Sequence, residues 1–577
     1  MLLNRLRRRS QMPALSLFLF TSLFSLLGLS ACTPGGDNSA NGTPVKPKDA
    51  VEVQFAYSSE KKPWIEPLAA RFNNEHHTVP GTNKPIFVNA FVVDSGTARS
   101  QIVAKTLQVA VWSPSNSLWK SVLNFEADAE IAGSGTGDAD PLLLTPVVLG
   151  MWKPMAQALG WPGKSLGLKD ILDLNANPDG WGSVGHPEWG HFKYAHTNPE
   201  VSSTGLSTVA AEFYAGAGKT TGLTEEDVND PKVRDFVKSI EQTIVHYSST
   251  TTIFKENVRK GGMDYISAVA LEEQTVLELN RTGMPVPMVA IYPREGTFWH
   301  DNPYIILKAP WVTDEQRSAA TQFKDYLLQP TSQQAALQLG FRPANTQVSW
   351  RTEPFTTANG VDPEQPKTTL QVPAPRVLES VKNAWSILRK QANIMIVLDV
   401  SPSMDDQNKL PSALAGIKTF LAQTRDVDRV GFVVFDKDTH LLVPIDTLSN
   451  TRAKILDYLN SPDSLPRSDS TAIYDGVAAG LDELTRLNDH DHINALVVLT
   501  DGEDNASSTT NRQDVPSRLR LNRNELWAVK LFPIAYGSGQ GVDTGLLQSF
   551  ADETQTHLVS GDATDIKRIY EDMSNYF

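Results

Sequence analysis

Residues 394–404 decide the fold of the C-terminal part of the chain and read Ile-Met-Ile-Val-Leu-Asp-Val-Ser-Pro-Ser-Met. The five apolar residues at 394–398 predict a strand that is buried on both faces of a sheet. Asp399, Ser401 and Ser403 follow where that strand would leave the sheet. One carboxylate and two hydroxyls on alternate residues are hard oxygen donors, which suit Mg²⁺ or Mn²⁺ better than a soft metal.

Two later segments carry further oxygen donors of this kind. Thr471 lies in residues 469–475, Asp-Ser-Thr-Ala-Ile-Tyr-Asp, just before an amphipathic helix. Asp501 ends a second apolar strand in residues 495–504, Ala-Leu-Val-Val-Leu-Thr-Asp-Gly-Glu-Asp. We predict that these pieces complete one cation site. The alternative is that the serine, threonine and aspartate residues only cap helices and turns, with no metal bound.

The sequence around these segments alternates between strand and helix patterns. Further strands are expected at residues 430–435, 493–499 and 531–536, with apolar stripes of helical spacing between them. This alternation predicts an α/β fold with a doubly wound, mostly parallel sheet covered on both faces. Ligand sites of such sheets lie outside the carboxyl ends of the strands, where Asp399 and Asp501 fall.

Residues 392–577 resemble a von Willebrand factor A (VWA) domain in the three segments quoted above. The resemblance implies a Rossmann-like domain with a metal-ion-dependent adhesion site (MIDAS), where an acidic group of a protein partner completes the shell of Mg²⁺, or of Mn²⁺ or Ca²⁺. Pro402 stands where the family frequently has glycine, so we expect a stiffer loop. The residues that the resemblance implies as metal ligands, directly or through water, are Asp399, Ser401, Ser403, Thr471 and Asp501.

Length and composition limit what the rest of the chain can be. A chain of 577 residues is too long for one core, so two or three domains are expected. The formal charge is −14, and without the first 31 residues there remain 48 basic against 66 acidic residues. This balance disfavours nucleic acid as a partner. The single cysteine excludes an internal disulfide framework and a Cys-rich zinc site.

The N-terminus has the features of a secretion signal. Four early arginines precede an apolar run at 15–29, which ends in Leu-Ser-Ala-Cys32. This resembles a bacterial lipoprotein signal and implies a signal peptide at 1–31, a lipidated Cys32 and a flexible tether at 32–50. The protein would then be a membrane-anchored lipoprotein of the cell envelope, facing the periplasm or the exterior. A plain membrane anchor and an ordinary secretion signal are the alternatives.

Residues 51–345 also alternate between strand and helix patterns, beginning with a strand at 51–57. Serine and threonine residues repeatedly follow a strand at the start of a helix, in two separated parts of this region. Hydroxyl-bearing loops from two segments predict a two-lobed α/β domain with its ligand site in the cleft.

Four stretches of this region are similar to bacterial extracellular solute-binding proteins of the periplasmic type II class. They are Val-Trp-Ser-Pro-Ser-Asn-Ser-Leu-Trp at 111–119, Ser-Ser-Thr-Gly at 202–205, Tyr-Pro-Arg-Glu-Gly at 292–296 and Gly-Phe-Arg-Pro-Ala at 340–344. The similarity implies that loop hydroxyls and backbone amides hold a small molecule between the lobes. It places Ser58, Ser59, Ser113, Ser203 and Thr204 near the ligand. The alternative is that these residues only cap helices and turn the chain.

Residues 346–391 are expected to join the two domains. Proline recurs among polar residues up to position 376, which indicates a linker, and Val377, Val381 and Trp385 share one face of a helix that follows. That helix could lie against either domain.

The sequence does not indicate an enzyme. His186, His191 and His196 recur every five residues, a spacing that repeats neither a helical face nor a strand face, so no zinc site is expected from this run. We interpret the chain as a lipid-anchored envelope protein that binds a partner protein through its VWA domain and a small ligand through its N-terminal domain. The alternative is an ABC-transport or sensory solute receptor in which the VWA domain is a scaffold.

Overall fold

The computed structural model of the chain describes residues 44–537 and 541–577. These residues contain three β-sheets, two in the N-terminal region and one in the C-terminal domain. The predicted signal peptide 1–31, the lipidation site Cys32 and the tether up to residue 43 lie outside the described residues. Of the helices that the structure describes, none has both the length and the apolar character needed to cross a membrane.

The strands are short in the N-terminal region and longer in the C-terminal domain. In chain order they are β1 (Val51–Tyr57), β2 (Ile86–Val92), β3 (Val111–Ser113), β4 (Asp140–Pro141), β5 (Leu143–Trp152), β6 (Tyr194–Ala195), β7 (Ala268–Glu272), β8 (Met288–Ile291), β9 (Trp299–His300), β10 (Pro303–Ile306), β11 (Arg342–Pro343), β12 (Ala392–Asp399), β13 (Arg429–Phe435), β14 (Thr439–Thr447), β15 (Ile493–Thr500), β16 (Lys530–Tyr536) and β17 (Val559–Gly561).

Helices follow most strands and cover the sheets. In chain order they are α1 (Lys62–Asn74), α2 (Ser95–Val103), α3 (Leu118–Glu126), α4 (Lys153–Ala158), α5 (Leu168–Asn175), α6 (Ser203–Ala217), α7 (Glu225–Asn229), α8 (Pro231–Glu241), α9 (Thr251–Tyr265), α10 (Glu273–Arg281), α11 (Asp314–Leu327), α12 (Pro330–Gln338), α13 (Pro375–Leu388), α14 (Lys409–Gln423), α15 (Leu448–Asn460), α16 (Ile473–Leu487), α17 (Thr509–Arg520), α18 (Thr544–Thr554) and α19 (Ile566–Met573).

Two sheets form the two lobes of the N-terminal region. The first has the order β2-β1-β3-β10-β4, with β1 parallel to β2 and β3. The second is centred on β5, which pairs antiparallel with β7, β8, β9 and β11. The chain passes from the first sheet to the second between β4 and β5, and returns between β9 and β10. The predicted two-lobed α/β architecture is therefore confirmed.

The C-terminal domain is built on a six-stranded sheet in the order β14-β13-β12-β15-β16-β17. Every neighbouring pair is parallel except β13 and β14. All residues of β12 and β15 are buried, as their apolar runs predict. Apolar residues of α14, α15 and α19 cover one face, and those of α16, α17 and α18 cover the other. The predicted doubly wound sheet is confirmed.

The segment before α13, predicted as a linker, makes backbone hydrogen bonds to the second lobe. The backbone N–H of Ala290 in β8 donates to the carbonyl oxygen of Gly360 at 2.7 Å, and that of Leu370 donates to Thr297 at 2.9 Å. Val361 and Leu370 are buried. The segment therefore packs on the second lobe, because backbone bonds compensate for its low apolar content.

The helix α13 lies against the N-terminal region, where it packs on α6, α7 and α8. Trp385 near its end is buried and its ring lies 5.4 Å from that of Tyr247 in a T-shaped arrangement. The backbone N–H of Tyr247 donates to the carbonyl oxygen of Tyr576 at 3.1 Å, and the His246 ring lies 6.0 Å from that of Phe532 in β16. The two domains thus share one apolar core along this contact.

Candidate functional site

Four of the five predicted cation ligands form one hydrogen-bonded cluster at the carboxyl ends of β12 and β15. The carboxylate of Asp399 accepts a hydrogen bond from the backbone N–H of Ser401 at 2.8 Å and another from the hydroxyl of Thr500. The hydroxyl oxygens of Ser401 and Ser403 lie 3.1 Å apart. Ser403 donates to Oδ1 of Asp501 at 2.6 Å.

The fifth predicted ligand, Thr471, is held beside this cluster by the loop that follows β15. Its backbone N–H donates to the side chain of Asn505 at 2.9 Å, and its carbonyl oxygen accepts from the backbone N–H groups of Asn505 and Ala506. A Cβ atom built on Gly502 would lie 3.3 Å from the hydroxyl oxygen of Thr471. Because Gly502 directly follows Asp501, the structure brings all three segments to the same edge of the sheet.

Burial dominates the electrostatics of the cluster. It raises the pKa of Asp399 to about 6, an effect that the hydrogen bonds from Ser401 and Thr500 reduce and the charge of Asp501 increases. A buried carboxylate gains from a nearby cation, which offsets the lost hydration. Two carboxylates and three hydroxyls form an all-oxygen donor set, and such a set fits a hard divalent ion.

Lys409, the first residue of α14, belongs to the cluster although the sequence analysis did not single it out. Its ammonium group lies 2.5 Å from Oδ2 of Asp501 and 3.4 Å from the carbonyl oxygen of Ser403. The Asp501 side chain is fully buried, so this ion pair neutralises a carboxylate that water does not reach. A basic residue at the start of the helix after the Asp-x-Ser-x-Ser segment is the signal that could have revealed it.

The cleft between the lobes is lined by Ser58, Ser59, Ser203 and Thr204, four of the five residues predicted to contact a ligand. Ser113 is the exception. Its side chain is fully buried, and its hydroxyl has no hydrogen-bond partner within the described residues. Successive side chains of a strand point to opposite faces, and that of Ser113 in β3 is enclosed within the lobe.

The hydroxyl groups at the start of α6 do not cap that helix, because Ser202 makes no side-chain cap hydrogen bond. The Ser203 hydroxyl accepts a hydrogen bond from the indole N–H of Trp119 at 2.9 Å. The Thr204 hydroxyl donates to the carboxylate of Glu272. The Ser203 bond therefore joins the two lobes across the cleft, whereas the Thr204 bond joins α6 to β7 within the second lobe.

Three carboxylates that the sequence analysis missed also line the cleft: Glu60, Asp94 and Glu272. Burial, with the charges of Asp572 and Glu60, raises the pKa of Asp94 to about 6. The ammonium group of Lys61 is buried 2.7 Å from the Glu60 carboxylate. Because Asp572 belongs to α19, the last helix of the C-terminal domain lies close enough to affect the charge of a cleft residue.

Another part of the cleft wall comes from residues 249–251 at the start of α9. The run Ser-Ser-Thr-Thr-Thr at 248–252 shows the same signal as the predicted residues, a group of hydroxyls before a helix. The cavity between these residues has a volume of about 30 Å³, little more than one water molecule requires. The lobes must separate before a larger ligand enters.

Comparison with known proteins agrees with this architecture. The family of bacterial extracellular solute-binding proteins matches residues 53–342, and the von Willebrand factor type A domain matches residues 393–572. Since the first match covers half of the chain, the protein belongs to the bacterial extracellular solute-binding proteins, and it carries a VWA domain after that region.

Relatives of known sequence share parts of the chain. An uncharacterized protein of Borreliella burgdorferi is 34% identical over 158 residues, which cover 26% of this chain and 42% of that protein. An uncharacterized protein of Mycobacterium tuberculosis is 23% identical over 275 residues, which cover 44% of this chain and 37% of that protein. The chain thus spans less than half the length of either relative.

Solved structures resemble the two regions separately. The periplasmic binding protein P5PA is 14% identical, with a TM-score of 0.39, and the similarity covers 59% of this chain and 99% of that one. The von Willebrand factor type A protein from Catenulispora acidiphila is 15% identical, with a TM-score of 0.27, and the similarity covers 32% of this chain and 42% of that one.

Proposed function

We propose that the protein is a lipid-anchored component of the cell envelope that binds a partner protein through a divalent metal ion on its VWA domain. In this proposal the solute-binding domain holds a small molecule and acts as a sensor. The observation that carries the proposal is the convergence of three distant segments of the chain at one edge of the VWA sheet.

The residues proposed to hold the ion, Mg²⁺ or alternatively Mn²⁺ or Ca²⁺, are Asp399, Ser401, Ser403, Thr471 and Asp501. A bound ion supplies an open coordination position that an acidic group of the partner can occupy. Ser403 and Asp501 are already oriented by their mutual hydrogen bond, so little side-chain entropy is lost on binding. The ammonium group of Lys409 already pairs with the Asp501 carboxylate, so it must share that carboxylate with the ion.

The proposed lipid anchor is at Cys32, and it would hold the folded domains at the membrane by a short tether. Support comes from the arginine-rich start, the apolar run and the small residues before the cysteine. A solute-binding domain is consistent with a location in the envelope.

The contact between the domains connects movements of the cleft with the VWA domain. The side chain of Asn198, in the loop before α6, donates to that of Asn575 at 3.0 Å. The backbone bond from Tyr247 to Tyr576 lies on the same side. Opening of the cleft moves one of these loops against the other, so a ligand that binds one lobe arrangement better changes the interface.

The cleft lining favours a ligand that is neutral or positively charged. Glu60, Asp94 and Glu272 present carboxyl groups to the cleft, and the buried Lys61 is already paired with Glu60. An anion would meet net repulsion there. A polyhydroxylated or amine-bearing small molecule would find both hydroxyl and carboxylate partners.

The alternative function is an ABC-transport or sensory receptor in which the VWA domain serves as a scaffold. The apolar core shared between the domains favours it, because a scaffold needs a rigid attachment. Thermal-shift screening of the full chain with sugars, oxyanions and small acids tests the cleft. A ligand that stabilises the chain without changing partner binding would favour the receptor.

Partner binding is tested by affinity purification of the full chain from envelope extracts, with Mg²⁺ or with a chelator. We expect a partner that is lost on chelation and lost in Asp399→Ala. Asp406→Ala is the matched control, since Asp406 is exposed in the same loop. Unchanged metal and partner binding in a folded Asp399→Ala protein would rule out the metal-dependent proposal.

A further inference from the structure

Three buried side chains from separate elements meet behind the cleft. His196 follows β6, Glu212 is on α6 and Glu241 is the last residue of α8. One nitrogen or oxygen atom from each lies within 4.8 Å of the others. All three residues are completely buried. Two carboxyl groups and an imidazole thus share one space that water does not reach.

The hydrogen bonds of His196 define which ring nitrogen carries a hydrogen. Its Nδ1 lies 2.8 Å from the carbonyl oxygen of Thr197, which can only accept, so Nδ1 donates. Its Nε2 lies 3.0 Å from Oε1 of Glu241. If the imidazole were neutral, the lone pair of Nε2 would point at a lone pair of the Glu241 carboxylate oxygen. This contact requires a positive charge, either a proton or a metal ion.

Glu212 also needs a neighbouring proton or metal ion. Both of its carboxyl oxygens are buried, and no N–H group or hydroxyl donates to them in the part of the chain that the structure describes. Their neighbour is the carboxyl group of Glu241, and burial together with that group raises the pKa of Glu212. Glu241 has one more partner, since its second oxygen accepts a hydrogen bond from the hydroxyl of Tyr247 at 2.5 Å. An ionised carboxylate without a partner is costly in a protein interior, by several kcal/mol.

Arg389 is close enough for the charge of Glu241 to act on it, but its guanidinium group is engaged elsewhere. Its guanidinium group lies 5.1 Å from the centre of the Trp385 ring and donates to the carbonyl oxygen of Phe577. Within the described residues it forms no ion pair with Glu212 or Glu241 at 4.0 Å or less. Across residues 44–537 and 541–577, neither carboxylate has an arginine or lysine partner at 4.0 Å or less, and only a protonated His196 would face Glu241 as a cation.

We propose that His196, Glu212 and Glu241 bind a divalent transition metal ion, with Zn²⁺ as the best match. One imidazole nitrogen and two carboxylates are a common zinc donor set, and one divalent ion balances two carboxylates. Histidines that bind metals donate their other ring N–H to a carbonyl or carboxylate, which is what Nδ1 of His196 does with Thr197.

This site differs from the His186, His191 and His196 run considered in the sequence. His186 pairs with Glu188 and His191 with Glu525, each at 3.0 Å, so these two histidines are not in the cluster. Only His196 takes part, together with two glutamates that lie distant in sequence.

The position of the site indicates a structural role. The helix α6 carries Glu212 near its middle, and its first residues, Ser203 and Thr204, line the cleft. Tyr247 connects the cluster to the segment between α13 and β12, because its hydroxyl accepts a hydrogen bond from the backbone N–H of Lys390 at 3.1 Å. An ion at this point would hold the cleft wall and the interdomain contact in one arrangement.

The proposal competes with a purely protonic arrangement, in which Glu212 is a neutral acid that donates a hydrogen bond to Glu241. The substitution Glu212→Gln separates the two. Glutamine imitates the neutral acid, so the protonic arrangement predicts a variant about as stable as its parent. A metal site predicts a variant that loses the ion.

The experiment uses the full chain carrying Asp399→Ala, which removes the proposed VWA cation site from the measurement. The chain is produced in zinc-supplemented medium and dialysed, and its metal content is determined by mass spectrometry. We expect about one zinc ion per chain, at least tenfold less in Glu212→Gln and in His196→Ala, and no loss in the control His186→Ala. Co²⁺ loading should give a visible absorption band that disappears in the same two variants.

The parent chain alone decides the question if the variants do not fold. Zinc retained by the parent, with X-ray absorption that shows one nitrogen and carboxylate oxygen neighbours, supports the proposal. A parent that retains no zinc or cobalt, and whose melting temperature does not respond to a chelator, overturns it. So does a Glu212→Gln variant with the parent's metal content.

Discussion

The polar groups of the VWA rim and those of the cleft differ in the partners they have. At the rim, Ser403 bonds Asp501 and Asp501 pairs with Lys409, so the group forms a local cluster at the edge of one sheet. In the cleft, Ser203 bonds Trp119 and Thr204 bonds Glu272, which lie on other elements.

Substitutions at the two sites should therefore differ in how strongly they affect folding. A change at the rim alters the local charge balance and should affect ion binding more than folding. A change at Ser203 removes a bond between the lobes, and a change at Thr204 removes one between α6 and β7, so both should affect folding even when no ligand is added. The interdomain contact differs from both polar sites, because it is part of an apolar core that the two domains share.

The largest effect is expected for Trp385→Ala. Trp385 is buried and packs on Tyr247 at the interdomain contact, so its removal should lower the free energy of unfolding by about 3–5 kcal/mol. Urea unfolding followed by fluorescence and circular dichroism measures this. Ile387→Ala is the control, since Ile387 is 67% exposed on the same helix. Equal stability of the two variants would show that the packing of α13 on the N-terminal region contributes little to stability.

The next effect is a pH dependence of the metal-free protein. The raised pKa of Asp399, about 6 in the fold, means that its neutral form is favoured in the folded state. This contribution to stability is complete below the unfolded pKa of about 4 and is lost as pH rises through about 6, with a size on the order of 2–3 kcal/mol.

Chemical unfolding of the metal-free chain at pH 5 and pH 7, beside Asp399→Asn, measures this contribution. We expect the difference between wild type and variant to change in favour of the variant at the higher pH. Added Mg²⁺ should restore the wild type at pH 7 and do little at pH 5, where a proton competes for the carboxyl group. A difference that is independent of pH would contradict the burial argument.

A smaller change is expected for Lys409→Met. The ammonium group of Lys409 competes with a metal ion for Asp501, so its removal should tighten Mg²⁺ binding by roughly tenfold, or about 1.4 kcal/mol. Isothermal titration calorimetry with Mg²⁺ and Mn²⁺ measures the affinity, and Lys418→Met, later in the same helix, is the control. Weaker binding in Lys409→Met would mean that the lysine orients Asp501 and does not compete.

The smallest effect is expected for Thr204→Val in the cleft. The substitution keeps the volume but removes the hydrogen bond to Glu272, which should lower the free energy of unfolding by about 1 kcal/mol. Ser59→Ala, on the half-buried rim of the same cleft, should change it less. If both variants unfold as the wild type does, the Thr204 bond does not stabilise the second lobe, and the contrast with the VWA rim disappears.

Local patterns predicted the doubly wound sheet, and the resemblance to VWA domains supplied the candidate cation ligands, whose metal binding stays a prediction. The apolar runs before Asp399 and Asp501 encode strands buried on both faces, and parallel strands place their carboxyl ends at one edge. The strand β14 was not predicted, although residues 441–445 read Leu-Leu-Val-Pro-Ile, because a proline interrupts the run and such a segment is found only at the edge of a sheet, where β14 lies. Periodicity reports which face of a segment is buried, and it does not report which segment lies opposite.

Four features depended on contacts between segments far apart in the chain. They are the ion pair of Lys409 with Asp501, the enclosure of Ser113, the packing of residues 346–374 on the second lobe and the meeting of His196 with Glu212 and Glu241. Each involves a polar group or a polar segment, whose environment is set by its neighbours in space. Apolar residues need only some interior to enter, whereas a buried charge needs a particular partner, and only the folded chain supplies it.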